Sequence, residues 1–128
     1  VYEDGAVPSC IFTDPEIASV GLAAEEAEAT GLAVRVGKFP YLANGRALAM
    51  GEPEGWVKVV AEEGTGRILG VHIFGAHASV LIAEATLAVR HGLTVAELAA
   101  TIHAHPTLAE VLPEAAEGAF GLSIHLSP

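Results

Sequence analysis

Cysteine occurs once in these 128 residues, as Cys10. A single thiol excludes an internal disulfide, a C-x-x-C redox pair and a thiolate zinc site. Cys10 stands among apolar, strand-like neighbours in "VPSCIFTD" and reads as a small core residue. Aromatic residues make up only 5%, so alanine, valine and leucine must fill the interior. Basic residues are also scarce: six Lys and Arg stand against sixteen acids, for a net charge of −10. None follows Arg90, whereas Glu97, Glu110, Glu114 and Glu117 do. Such a surface repels phosphate backbones and anionic lipid, which argues against nucleic acid and membrane as partners. The acidic last third suits either a solvated face or a basic partner. No apolar run approaches the ~20 residues that span a bilayer. The opening "VYEDGAVPS" is acidic and lacks the basic start of a signal peptide. With no disulfide framework either, the expected location is cytoplasmic.

The chain has 52% hydrophobic residues and enough length for one compact core. It shows no repeat, linker or low-complexity segment. "PSCIFTD" (8–14) and "EIASVGL" (16–22) read as extended, separated at Asp14-Pro15. "AAEEAEATG" (23–31) has helix formers and a terminal glycine. "LAVRVGKF" (32–39) reads as a strand ending before Pro40, and "LANGRALAMG" (42–51) as an Asn-Gly turn before a short helix. "GWVKVVAE" (55–62) and "RILGVHIFG" (67–75) are the plainest strands, joined by a hairpin turn at "EGTG". Those glycines lead into a strand, whereas a phosphate-cradling loop opens a helix.

From residue 78 the pattern becomes helical. "ASVLIAEATLAVRHG" (78–92) is apolar on nearly every side, with Glu84 and Arg90 its only charges, so it needs cover on more than one face. A second subunit or a deep monomer core would supply that. "TVAELAATI" (94–102) starts on a Thr94–Glu97 capping box, and a last helix runs from about 107 with Pro113 limiting or kinking it. The tail "FGLSIHLSP" is apolar enough to pack back on the body. Strands precede helices, which is the α+β pattern: one antiparallel sheet with helices packed against it.

The segment "HAHPTLAE" (103–110) admits three readings. As a metal site, His103 and His105 share a face if extended, with His72, His77, His91 and His125 as possible helpers, but zinc sites need three or four protein ligands at recognisable spacing. As architecture, Thr107 and Glu110 form a T-x-x-E capping box behind Pro106. As chemistry, His105 is a proton acceptor and donor near neutral pH, and a carboxylate bonded to its other ring nitrogen fixes the tautomer. On one helix, residues 105 and 110 would stand ~140° apart. Pro106 takes His105 off the helix, which permits a meeting without requiring one.

These motifs carry a resemblance. "HAHPTLAE" is similar to the C-terminal signature of the dihydrolipoamide dehydrogenase family, within the pyridine nucleotide–disulfide oxidoreductases. "VPSCIFTDPEIASVG" resembles the opening of that family's interface domain. "ILGVHIFGAHASVLIAEATLAVRHGLTVAELA", including Glu84, resembles its strand–helix–helix segment, and "AFGLSIHLS" its tail. The leucine and alanine after Thr107 point to the lipoamide branch, with glutathione reductase-like enzymes as the alternative.

The resemblance implies a homodimer in which His105 is the acid/base and Glu110 orients it. It places the His105 carbonyl and the Pro106 ring against the partner's flavin, and leaves cis geometry at His105–Pro106 open. It implies FAD, NAD and a redox-active cysteine pair in a longer enzyme, no metal, and a possible basic subunit-binding domain of a 2-oxo acid dehydrogenase acyltransferase as a further partner. The cysteine pair and both nucleotide fingerprints are absent from this chain. Residues 1–128 are therefore expected to be one excised C-terminal dimerisation domain, holding no cofactor and inactive alone.

Overall fold

The computed structural model describes residues 6–121. Expectations for "LSIHLSP" and for His125 lie outside that range.

Two long strands organise the sheet. β4 (Gly55–Glu62) and β5 (Ile68–Gly75) form the expected hairpin, with Val57 opposite Ile73 and Val59 opposite Val71. β2 (Glu16–Gly21) pairs with β5, setting Ala18 against Ile73 and Val20 against Val71. β3 (Val34–Pro40) pairs with β4, and β1 (Ser9–Ile11) edges β2. The order is β1-β2-β5-β4-β3, antiparallel throughout, as the strand patterns predict. Period-two alternation puts Ala18, Val20, Val57, Val59, Val71 and Ile73 in the core. Trp56, Lys58, His72 and Phe74 alternate with them and stay half-buried. Cys10 is also half-buried, packed against the core's margin.

Helices cover the core side. α1 (Ala24–Ala29) links β2 to β3, and α2 (Gly45–Ala49) follows a 3-10 turn over Tyr41–Ala43. α3 (Ala78–Arg90) lies on β2 and β5, and α5 (Val111–Gly118) on β3 and β4 with α4 (Val95–Ala100) beside it. α3 buries Ala78, Ile82, Ala85 and Ala88 at helical spacing; its opposite side leaves Val80 68% and Leu87 57% exposed. The monomer thus covers one stripe of this apolar helix and leaves another open.

Three local expectations need correction. The Asn-Gly pair is not a turn. Asn44 is extended, and its side chain accepts the Ala47 N–H at 2.9 Å, making it the N-cap of α2. Pro113 neither ends nor kinks a helix. It sits in the first turn of α5, where its missing N–H costs nothing. Of the predicted Thr94–Glu97 box, the Thr94 half is made: its hydroxyl accepts the Glu97 N–H at 3.2 Å.

The start of α3 is held from outside the helix. The residue before it, His77, is left-handed (φ 61°) and offers no side-chain cap. Glu16 of β2 takes that role, accepting from Ser79 N–H at 3.1 Å and Ser79 Oγ at 2.8 Å. Those bonds hold its carboxyl below the ordinary value of 4.5. A depressed carboxylate adds stability above its unfolded pKa and loses it as pH falls through the folded one. Thermal melts should therefore show α3 loosening on acidification below the ordinary carboxylate range. Glu16→Ala should melt lower at neutral pH and lose part of that acid dependence; an unchanged acid limb would contradict the capping role.

Candidate active-site segment

The chain leaves α4 at Ala100 and runs without regular secondary structure to Thr107, bending at His105 and Pro106, before turning into α5. Contacts at its two ends hold this stretch. At the first end, His103 turns inward, its side chain 10% exposed, with Nε2 2.7 Å from Glu84 Oε2 of α3 and Nδ1 2.9 Å from the Thr101 carbonyl. At the other end, the Thr107 hydroxyl donates to the Ala104 carbonyl at 2.6 Å, and Asn44 Nδ2 donates to the Thr107 carbonyl at 3.1 Å. Between them His105 projects outward, with a cis bond to Pro106.

His105 and Glu110 meet. Nδ1 lies 2.9 Å from Oε1 and 3.0 Å from Oε2. Glu110 closes a 3-10 turn, Leu108–Glu110, at the head of α5. Its Oε1 also accepts the Thr107 N–H at 2.9 Å, so one carboxylate serves both the backbone and the imidazole. The His105 side chain is 76% exposed, the Glu110 side chain 23%. A carboxylate on Nδ1 selects the tautomer whose Nε2 carries the lone pair. The imidazole is held at Nδ1 by the Glu110 carboxylate while most of its ring surface stays exposed. The capping bond and the contact with the imidazole, weighed as rivals from the spacing, coexist on Glu110.

Other residues fall elsewhere. His103 faces Glu84, away from any shared metal position with His105. His72 Nε2 lies 3.1 Å from the Leu22 carbonyl. Among the described residues no three His, Cys, Asp or Glu side chains gather as a metal set. Glu114 and Glu117 continue the acidic side of α5, where burial first and repulsion from Glu114 second push the Glu117 carboxyl up. The sequence reading named Glu84, His103 and Asn44 but missed their anchoring roles. The one signal for Glu84 was an acid isolated on an apolar helix, with a spare histidine downstream.

Residues 7–116 match the family model described as pyridine nucleotide-disulphide oxidoreductase, dimerisation domain. The chain belongs to that family. It is 48% identical to a dihydrolipoyl dehydrogenase of Haloferax volcanii, over 97% of this chain and 26% of the relative. It is 53% identical to that of Thermus scotoductus, over 96% of this chain and 27% of the relative. The chain thus spans about a quarter of the relatives it matches. Among solved structures it superposes on LpdA from Mycobacterium tuberculosis with TM-score 0.85 at 34% identity, covering 91% of this chain and 25% of that one. The HOCl-induced flavoprotein disulfide reductase RclA from Escherichia coli gives 0.82 at 27%, covering 87% and 26%. A dimerisation domain with an antiparallel sheet and packed helices is the fold the sequence implies. Among the described residues no helix is long and apolar enough to cross a membrane.

Proposed function

We propose that residues 1–128 form the C-terminal dimerisation domain of a cytoplasmic dihydrolipoamide dehydrogenase. In this reading His105 and Glu110 are lent to the partner subunit's flavin and disulfide site. The observation that carries it is the exposed His105 ring, gripped at Nδ1 by both Glu110 oxygens. The similarity to dihydrolipoyl dehydrogenases at 48–53% identity favours this enzyme over a glutathione reductase-like one.

The cavity that His105 lines with Glu110, Phe39 and Asn44 measures about 40 Å³, below the several hundred a cofactor-sized ligand needs. The exposed turn at His105–Pro106 suits contact with a flavin held by another subunit. FAD, when bound there, would carry electrons from the substrate dithiol through the enzyme's cysteine pair to NAD. The task of this chain is the proton. His105 Nε2 removes it from a substrate thiol, because the thiolate is the nucleophile in disulfide exchange. Glu110 stabilises the imidazolium and holds the ring at its angle. Val80, Leu87 and Ile102, exposed by 68%, 57% and 97%, supply apolar surface for the two-fold contact.

The test is NADH formation by the longer enzyme with dihydrolipoamide as donor, run beside the reverse assay with oxidised glutathione. Turnover with lipoamide alone is expected, and a preference for glutathione would overturn the assignment. A second reading rests on the surplus of ten negative charges. The dimer would dock a basic subunit-binding domain of an acyltransferase core, and titration should show binding that weakens as salt rises.

A further inference from the structure

Asn44 lies 6% exposed beside the His105–Glu110 pair and lines the same small cavity. Its amide is divided between two tasks. Oδ1 caps α2 by accepting the Ala47 N–H at 2.9 Å, while Nδ2 donates to the Thr107 carbonyl at 3.1 Å. The Thr107 N–H, on the same residue, is bound by Glu110 Oε1 at 2.9 Å, and that oxygen also faces His105 Nδ1. A continuous chain of hydrogen bonds therefore runs from the α2 cap through Thr107 to Glu110 and the imidazole. Capping alone needs only an oxygen, which Ser or Asp supplies equally well. The N–H end of Asn44 is surplus to the helix, and it is spent on the residue that sets the Glu110 carboxylate.

We propose that Asn44 is a positioning residue for the His105–Glu110 pair, acting through the Thr107 peptide. The inference rests on the functional reading above. Misplacement of a reacting group by about 1 Å is enough to slow a step as much as 10²-fold, so loss of this one tether is expected to lower kcat about 10-fold with KM nearly unchanged.

Two variants separate the tasks in the longer holoenzyme. Asn44→Ser keeps a cap and removes the long donor. Asn44→Asp is isosteric, keeps the cap and sets an acceptor against the Thr107 carbonyl. Both should retain FAD content and both should lose kcat, while melting falls slightly in Asn44→Ser and further in Asn44→Asp, which buries a carboxylate against the Thr107 carbonyl. In a His105→Gln background the further loss should vanish, because there is no longer a base to place. Wild-type kcat in both variants beside a slow His105→Gln would overturn this inference alone. So would an equal loss on the His105→Gln background, or rescue of kcat by the cap-retaining variants relative to Asn44→Ala. A His105→Gln enzyme at full rate would overturn the functional reading itself, and this inference with it.

Discussion

Replacing His105 by glutamine is expected to cut dihydrolipoamide oxidation by the proposed parent enzyme about 10²–10⁴-fold, the usual worth of a placed acid/base. Glutamine keeps approximate size and polarity but cannot take up a proton. The ring is 76% exposed, so stability should change little. The loss should fall on kcat, because a general base acts in the transition state rather than in binding. Glu110→Gln should lose activity too, in a different way. Its oxygen accepts from Thr107 while its new N–H₂ donates toward Nδ1, which favours the wrong tautomer. Steady-state kinetics of both variants, with melting curves as the fold control, check this. Loss through KM alone would point to a binding role and contradict the base assignment.

Gly37→Ala is expected to cost a large share of the molecule's stability. Gly37 lies in mid-strand on β3, where a Cβ would run into the carbonyl of Ala115 and the amide nitrogen of Ala119 on α5. Both obstacles are backbone, so neither can swing away as a side chain would. The alternatives are a displaced helix or a bent strand, costing about 3 kcal/mol. The displaced element would be α5, and Glu110 stands at its head. Surviving activity should therefore fall along with stability. Gly64→Ala is the control. Gly64 lies in the β4–β5 turn with open space around it, and its substitution should stay within about 0.5 kcal/mol. Urea unfolding of the pair measures the difference, and near-equal midpoints would contradict the close packing of β3 on α5.

Local rules carried much of this fold. The alternation in "GWVKVVAE" and "RILGVHIFG" reads directly as the central hairpin, because each strand buries one face and the period is two. The helix over 78–92 is equally plain from its composition. The strand order is not, since which edge β3 joins depends on contacts made after a crossover through α1. Asn44-Gly45 misled for a physical reason: the same short amide that favours turns also caps helices, and only the chain's later path selects between them. At the site, spacing alone allowed His105 and Glu110 to meet without requiring it. The stretch that carries His105 is tied by distant residues, to Glu84 through His103 at one end and to Asn44 through Thr107 at the other. Those partners lie 19 and 63 positions apart in sequence, beyond the reach of any local pattern.

Subunit complementation tests the central claim, that this domain lends its base across the dimer, most directly. One subunit of the longer enzyme carries His105→Gln; the other carries an intact His105 and a Ser in place of one redox cysteine. Neither homodimer should turn over. Unfolded and reassembled together in equal amounts, they should recover about a quarter of the wild-type rate, because half the dimers are mixed and each mixed dimer holds one complete site. If the mixture stays as inactive as the two parents, His105 serves its own subunit or none, and the account fails.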